Sequence, residues 1–282
     1  MDDPIQRAQA LLASADGLLV TAGAGIGVDS GLPDFRGDEG FWRAYPALAA
    51  EGTPFWRIAS PDSFRRRPER GWGFYGHRLA LYRRTVPHAG FALLQALGAR
   101  LPRGLFVFTS NVDGQFQRAG FDAERIVECH GSIHHLQCLR PCGSAIWPAD
   151  DFAPVTDDAH CLLLNPAPRC PRCGGLARPN ILMFGDDGWI ADRSTAQRSR
   201  LLRWLAGTRR PVVIELGAGT AIPSVRLLGE QVARDGLGLV RINPREPAVQ
   251  HPADVAIAAG ALAALTALAP PPADRASAAN PP

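Results

Sequence analysis

The sequence contains no lysine. All 30 of its basic residues are arginine. It therefore offers no side-chain amine to acylate, and only the N-terminal amine could react. Charge of one sign is also lacking. Thirty basic residues stand against 27 acidic ones, a net charge of +3 over 282 residues. So small an imbalance excludes an overall attraction to acidic membranes or nucleic acid. No apolar run reaches the roughly 18 residues of a membrane-spanning helix. The N-terminal stretch MDDPIQRAQALLAS has neither the basic segment nor the apolar core of a secretion signal. A cytoplasmic protein without a membrane partner is expected. Hydrophobic residues at 46% and charged residues at 20% are ordinary globular usage, and the length suits one large domain or two modest ones.

Short apolar runs occur at 17–21, 105–109, 212–216, 237–242 and 254–257. Strands buried on both faces of a parallel sheet look like this. Helical periodicity lies between them. Ile5, Ala8, Leu11 and Leu12 make one face, Leu201, Leu202 and Leu205 a second, and Leu227, Leu228 and Val232 a third. The alternation predicts an α/β fold, a doubly wound parallel sheet of the Rossmann kind. Two stretches break it. Residues 41–84 are rich in aromatics and arginine and read as helical. Residues 134–178 carry cysteines and many prolines. Together they predict a smaller helical and zinc-binding module inserted into a Rossmann-like domain of residues 1–40, 85–133 and 179–269. Residues 270–282, with five prolines and no large apolar side chain, read as a disordered tail.

Four groups of residues carry chemistry. The first is T-A-G-A-G-I-G-V-D-S-G-L-P-D-F-R at 21–36. Glycines after a strand let the backbone approach a phosphate closely. The common dinucleotide fingerprint fails, because its third glycine is Val28 here and no acidic residue ends the second strand. A tight strand–helix turn explains this segment equally well. The second is L-G-A-G-T at 216–220, another glycine turn at a strand end, with Asn243 closing the next strand. The third is Cys138-x3-Cys142 and, 27 residues on, Cys170-x2-Cys173. Two close pairs in a chain without a secretion signal suit a structural Zn2+ with four thiolates. Cys161 and His160 lie in the gap but lack a paired partner, and Cys129 reads as core. The fourth is Asn111 and Asp113 after one strand and His130 after the next. Each would sit at a strand's C-terminal end, where ligands of such sheets bind. A histidine there can titrate near neutrality and serve as a base.

These blocks, taken in order, resemble the sirtuins, the NAD-dependent protein-lysine deacylases. The shared residues are G-A-G-I-x-x-x-S-G-L-P-D-F-R at 23–36, N-V-D at 111–113, H-G-S at 130–132, the two cysteine pairs, M-F-G-D at 183–186, the glycine turn at 217–219, and Ile242-Asn243. The resemblance implies that NAD is consumed as a co-substrate, with nicotinamide and O-acyl-ADP-ribose as products. It implies that Ala22, Gly23, Ala24, Gly25, Ile26, Asp34, Phe35 and Arg36 hold the NAD diphosphate. Ser110, Asn111 and Asp113 would place nicotinamide and its ribose. His130 would be the base, with Asn111 beside it. Gly217, Ala218, Gly219 and Asn243 would hold the adenosine half. Phe184 and Gly185 would pair with the backbone of an acylated protein or peptide. W-G-F-Y-G-H-R at 72–78 resembles the segment of the sirtuin branch that acts on acidic acyl groups. It implies that Tyr75 and Arg78 grip a succinyl or malonyl carboxylate, for which the arginine fork is suited. A core tyrosine with an arginine snorkelling to solvent is the alternative.

The sequence also departs from the family pattern. Gly27 stands for the usual serine, Ser110 for glutamine, Ala218-Gly219 for Thr-Ser, and Phe91 for a common histidine. The resemblance is therefore to a divergent branch. Two other readings remain open. One is an NAD glycohydrolase or ADP-ribosyltransferase on the same scaffold. The other is a non-catalytic nucleotide or zinc module with Arg65-Arg66-Arg67 and Arg83-Arg84 as basic contacts, although the charge balance argues against strong nucleic-acid affinity.

Overall fold

Every apolar run expected to be a strand is one. The computed structural model describes residues 3–33, 41–42 and 45–269. Its strands are β1 (Gly17–Ala22), β2 (Leu105–Thr109), β3 (Ile126–Glu128), β4 (Gly131–Cys138), β5 (Ile146–Pro148), β6 (Thr156–Asp157), β7 (Leu162–Leu163), β8 (Ala177–Ile181), β9 (Pro211–Leu216), β10 (Gly238–Ile242) and β11 (Val255–Ile257). Six form one sheet in the order β11-β10-β9-β1-β2-β3, each neighbour parallel. Counted along the chain that order is 3-2-1-4-5-6, the dinucleotide-binding arrangement. The order reverses between β1 and β9. Leu18, Leu19 and Val20, like Val212, Val213 and Ile214, are wholly buried. Strands with no solvated face need helices on both sides, and a parallel sheet supplies them.

The helices of eight residues or more are α1 (Pro4–Ser14), α2 (Pro68–Arg84), α3 (Gly90–Ala99), α4 (Asp192–Ala206), α5 (Ser224–Arg234) and α6 (Ala261–Leu268). Asp3 caps α1 by accepting the Ile5 amide N–H at 3.0 Å, and Pro4 opens the helix. One face of the sheet packs against α1, α3 and α6, the other against α4 and α5. Two predicted helix faces need correction. Leu202 and Leu227 point outward, 55% and 57% exposed. Trp204 and Val225 take their places, because burial follows the 201/204/205 and 225/228/232 rows of a 3.6-residue period.

The excursions share a third core. It gathers Phe41, Tyr45, Leu48, Phe64, Trp72, Phe74 and Tyr75 with Leu136, Phe152 and Ile181. Short helical turns at Pro46–Ala50, Phe55–Ile58 and Pro61–Arg66 lead into α2. Residues 134–178, read from sequence as poor in periodic runs, contribute to small antiparallel sheets, β5-β4-β8 and β6-β7. The indole of Trp72 on α2 donates to the Ala177 carbonyl on β8 at 3.0 Å, joining helix to sheet. The tail at 270–282 lies outside the described residues.

Candidate active site

The two glycine turns meet at the point where the strand order reverses. The Gly23 amide donates to the Leu216 carbonyl at 3.0 Å and the Gly25 amide to the Gly217 carbonyl at 3.1 Å. A Cβ on Gly23 would stand 2.8 Å from Ala218 Cα, and one on Gly217 would stand 2.4 Å from Gly25 Cα. Gly217 also has φ +59°, a left-handed conformation that favours glycine. Part of the glycine pattern is thus explained without a phosphate: two backbone turns pass too close for side chains. Ala24 and Gly25 stay partly exposed, whereas Ala22 and Ile26 are buried.

The Thr109 hydroxyl ties the neighbouring strand end to this turn. It donates to the Ala22 carbonyl at 2.9 Å and accepts from the Asn111 amide at 3.0 Å. The Ser110 backbone N–H reaches the same Ala22 carbonyl. Asn111 is buried, and its side-chain amide donates to the Gly23 carbonyl at 3.2 Å. The Asp113 carboxylate accepts from the Gln115 amide, and burial pushes its pKa up to about 6. His134 bonds the Asp113 carbonyl at 2.9 Å.

His130 lies just beyond β3, whose Glu128 pairs with Thr109 of β2. Burial lowers its pKa below the usual 6.5, and a hydrogen bond to the Ser110 backbone opposes this. The imidazole is therefore held neutral at physiological pH beside residue 110. Its carbonyl accepts from the Leu182 amide at 2.9 Å, which brings the segment after β8 alongside. Phe184 and Gly185 there are exposed. The Phe184 ring meets Phe55 edge-on at 5.8 Å.

Asn243 is buried with its side chain engaged. Its amide donates to the Ala218 carbonyl at 2.9 Å, and its oxygen accepts from the Arg245 and Glu246 amides at 3.0 and 3.1 Å. It holds the second glycine turn, in which Ala218 is buried and Gly219 partly exposed. Asp34, Phe35 and Arg36 lie outside the described residues.

The four predicted cysteines converge. Cys138, Cys142, Cys170 and Cys173 bring their sulfurs within 4.8 Å of one another. Cys138 and Cys173 are 3.7 Å apart, Cys142 and Cys170 3.6 Å. Zinc with bonds of about 2.3 Å needs tetrahedral edges of about 3.8 Å, so the cluster fits Zn2+. Four thiolates leave no open position, which makes the metal structural. Cys161 stands apart in the aromatic core. One zinc per chain is expected by metal analysis. Chelation should lower the melting temperature before any activity falls, because binding energy at a closed site is partly folding energy. A metal-free protein with an unchanged melting temperature would contradict this.

The Sir2 family model matches residues 23–198. The chain belongs to the Sir2 family. It is 34% identical over 258 residues to "NAD-dependent protein deacylase 2" of Pyrobaculum aerophilum, covering 88% of this chain and 87% of that one. It is 29% identical over 270 residues to the "NAD-dependent protein deacylase" of Thermus thermophilus, covering 95% and 94%. A solved Sir2 enzyme structure superposes with a TM-score of 0.68 at 26% identity, covering 95% of this chain and 97% of that one.

Against this family background, the structure adds residues that the sequence reading missed. The side chains of Arg178 and Asp186 are both fully buried and paired through two contacts of 2.8 Å. Asp186 also accepts from the Met183 amide at 3.2 Å and the Gly188 amide at 3.1 Å, so this pair fixes the turn that presents Phe184 and Gly185. The M-F-G-D motif contained Asp186, but nothing local marked Arg178 as its partner. Asp186→Asn leaves a buried guanidinium uncompensated. We expect a loss of about 3–5 kcal/mol in chemical denaturation. An unchanged denaturation midpoint would contradict this.

All three tyrosines of the chain collect near Arg78 on α2. The guanidinium is buried, lies 5.1–5.6 Å from the ring centroids of Phe74, Tyr75 and Tyr82, and donates to the Tyr82 hydroxyl at 2.8 and 3.0 Å. Tyr45, Phe74 and His77 complete the surroundings, with the Tyr45 hydroxyl 2.9 Å from His77. Tyr75 is buried and stacks on Phe64. Tyr82, which binds the guanidinium directly, carried no sequence signal of its own.

Proposed function

We propose that this protein removes acyl groups from protein lysines at the expense of NAD, with a preference for succinyl or malonyl groups. The relatives named NAD-dependent protein deacylase support the general activity. The observation that carries the reading is His130, a neutral base at a strand end, next to Asn111 and the switch point of a 3-2-1-4-5-6 sheet. Ligands of such sheets bind in the crevice outside the strand ends there.

NAD would supply an anomeric carbon whose bond to nicotinamide is replaced by one to the acyl oxygen of the substrate. The chain does the rest. Ala22–Ile26, with Asp34, Phe35 and Arg36, hold the diphosphate. Ser110, Asn111 and Asp113 set the nicotinamide riboside, and Gly217, Ala218 and Gly219 the adenosine. Asn243 acts there by fixing the Ala218 carbonyl. His130 takes a proton from a ribose hydroxyl, which requires its neutral form. Phe184 and Gly185 pair with the substrate backbone. Tyr75 and Arg78 bind the acyl carboxylate. The two cores that flank the sheet, and the separate aromatic core of the excursions, support a division into a Rossmann-like domain and an inserted module.

The test is a product balance. Deacylated peptide, nicotinamide and O-acyl-ADP-ribose should form in equal amounts from NAD and acyl-peptide. ADP-ribose formed without peptide turnover would contradict the reading.

A further inference from the structure

A groove of about 650 Å3 opens beside Phe184 and Gly185, walled by the short helices Phe55–Ile58 and Pro61–Arg66. Five arginines line it: Arg57, Arg65, Arg66, Arg67 and Arg70. Glu51 and Asp62 are its acidic residues, and both are already engaged. Glu51 pairs with Arg70, and Asp62 with Arg66 at 2.6 Å. Arg57, Arg65 and Arg67 are exposed and form no ion pair among the described residues. The lining residues thus carry a net of three positive charges, as many as the entire chain. A charge balance that argues against wholesale attraction to polyanions conceals one concentrated site.

The groove also has apolar footing. Trp56 is 56% exposed and Phe184 42% exposed. The Arg57 guanidinium lies 5.7 Å from the Trp56 ring centroid, and Arg70 is anchored to the His160 carbonyl at 2.7 Å. Partial anchoring reduces the side-chain entropy lost when a ligand binds.

We propose that this groove reads acidic side chains flanking the acyl-lysine, so that its arginines determine which substrate sequences bind. The inference rests on the assignment of Phe184 and Gly185 to the substrate backbone. That pair forms one border of the groove, so a peptide leaving it enters the arginine-lined space. This continuity favours a peptide over a nucleic acid.

Three fluorescein-labelled peptides test it, each with one succinyl-lysine flanked by Asp/Glu, by Ala or by Arg. Dissociation constants come from anisotropy with the full chain. The acidic peptide should bind about tenfold tighter than the basic one, the size that two or three exposed ion pairs can supply. The gap should close as salt rises from 0.1 M to 1 M, where the screening length falls from about 10 Å to about 3 Å. Arg65→Ala with Arg67→Ala should shrink it, with the thermal melt checking the fold. Equal affinity for all three peptides overturns the proposal, and so does a preference that survives the substitutions. A single-stranded oligonucleotide that binds tighter than the acidic peptide, and is lost with the same arginines, overturns it in favour of nucleic acid. Nicotinamide release is scored separately. Its absence rejects the deacylase reading, whereas the affinity comparison judges the groove alone.

Discussion

His130→Ala should lower kcat for deacylation by about 10²–10⁴-fold, the usual loss when positioned proton transfer is removed. The fold should survive, because the His130 backbone bond to Leu182 does not involve the side chain. The pH profile separates a base from a merely structural residue. Burial lowers the His130 pKa below 6.5, so the imidazole stays neutral into mildly acidic solution. Activity that needs the neutral form should therefore hold at pH 6.5 and decline below it. Asp113, with a pKa of about 6, titrates in the same region. Asp113→Asn should leave an acid limb if His130 provides it. Near wild-type deacylation by His130→Ala would end the assignment.

Arg78→Met should depress desuccinylation by about 10- to 150-fold, equivalent to one charged hydrogen bond of about 1.5–3 kcal/mol. Methionine keeps the unbranched stem and packs well against aromatic rings, of which Phe74, Tyr75 and Tyr82 surround the site. Deacetylation should stay level or rise, because a neutral acyl group gains nothing from the guanidinium. The ratio of the two activities is the quantity to measure, since it cancels defects in folding and NAD binding. Tyr82→Phe is the control, as it removes the hydroxyl that Arg78 holds while keeping the ring. Equal loss of both activities in Arg78→Met would make the residue structural. A wild-type preference for acetyl or long apolar chains would also reject the acidic-acyl reading.

The sheet was legible because its strands are short, largely apolar on both faces and separated by stretches of helical periodicity. The cysteine pairs were legible because metal ligands come in close local pairs, and the structure brings all four sulfurs together. Residues that act through distant partners left no such trace. Arg178 ends the cysteine- and proline-rich stretch and shows no sign of its role until the fold places Asp186 against it. Glu215 and Arg241 fall in strands expected to be apolar, yet they face each other in register across β9 and β10 and pair at 2.6 and 3.1 Å. Two buried charges are tolerated there because each satisfies the other. The glycines show the reverse case. Their pattern was visible, but its cause is partly the close passage of two turns, which only the three-dimensional arrangement reveals. Asn243 likewise stood out, and its side chain turns out to brace Ala218.

The most direct measurement is nicotinamide release from NAD with and without a succinyl-lysine peptide, at equal enzyme concentration. The account predicts little release from NAD alone and a rate that rises with peptide to saturation, with one nicotinamide per lysine freed. Release at the same rate without peptide, or none under either condition, would contradict it.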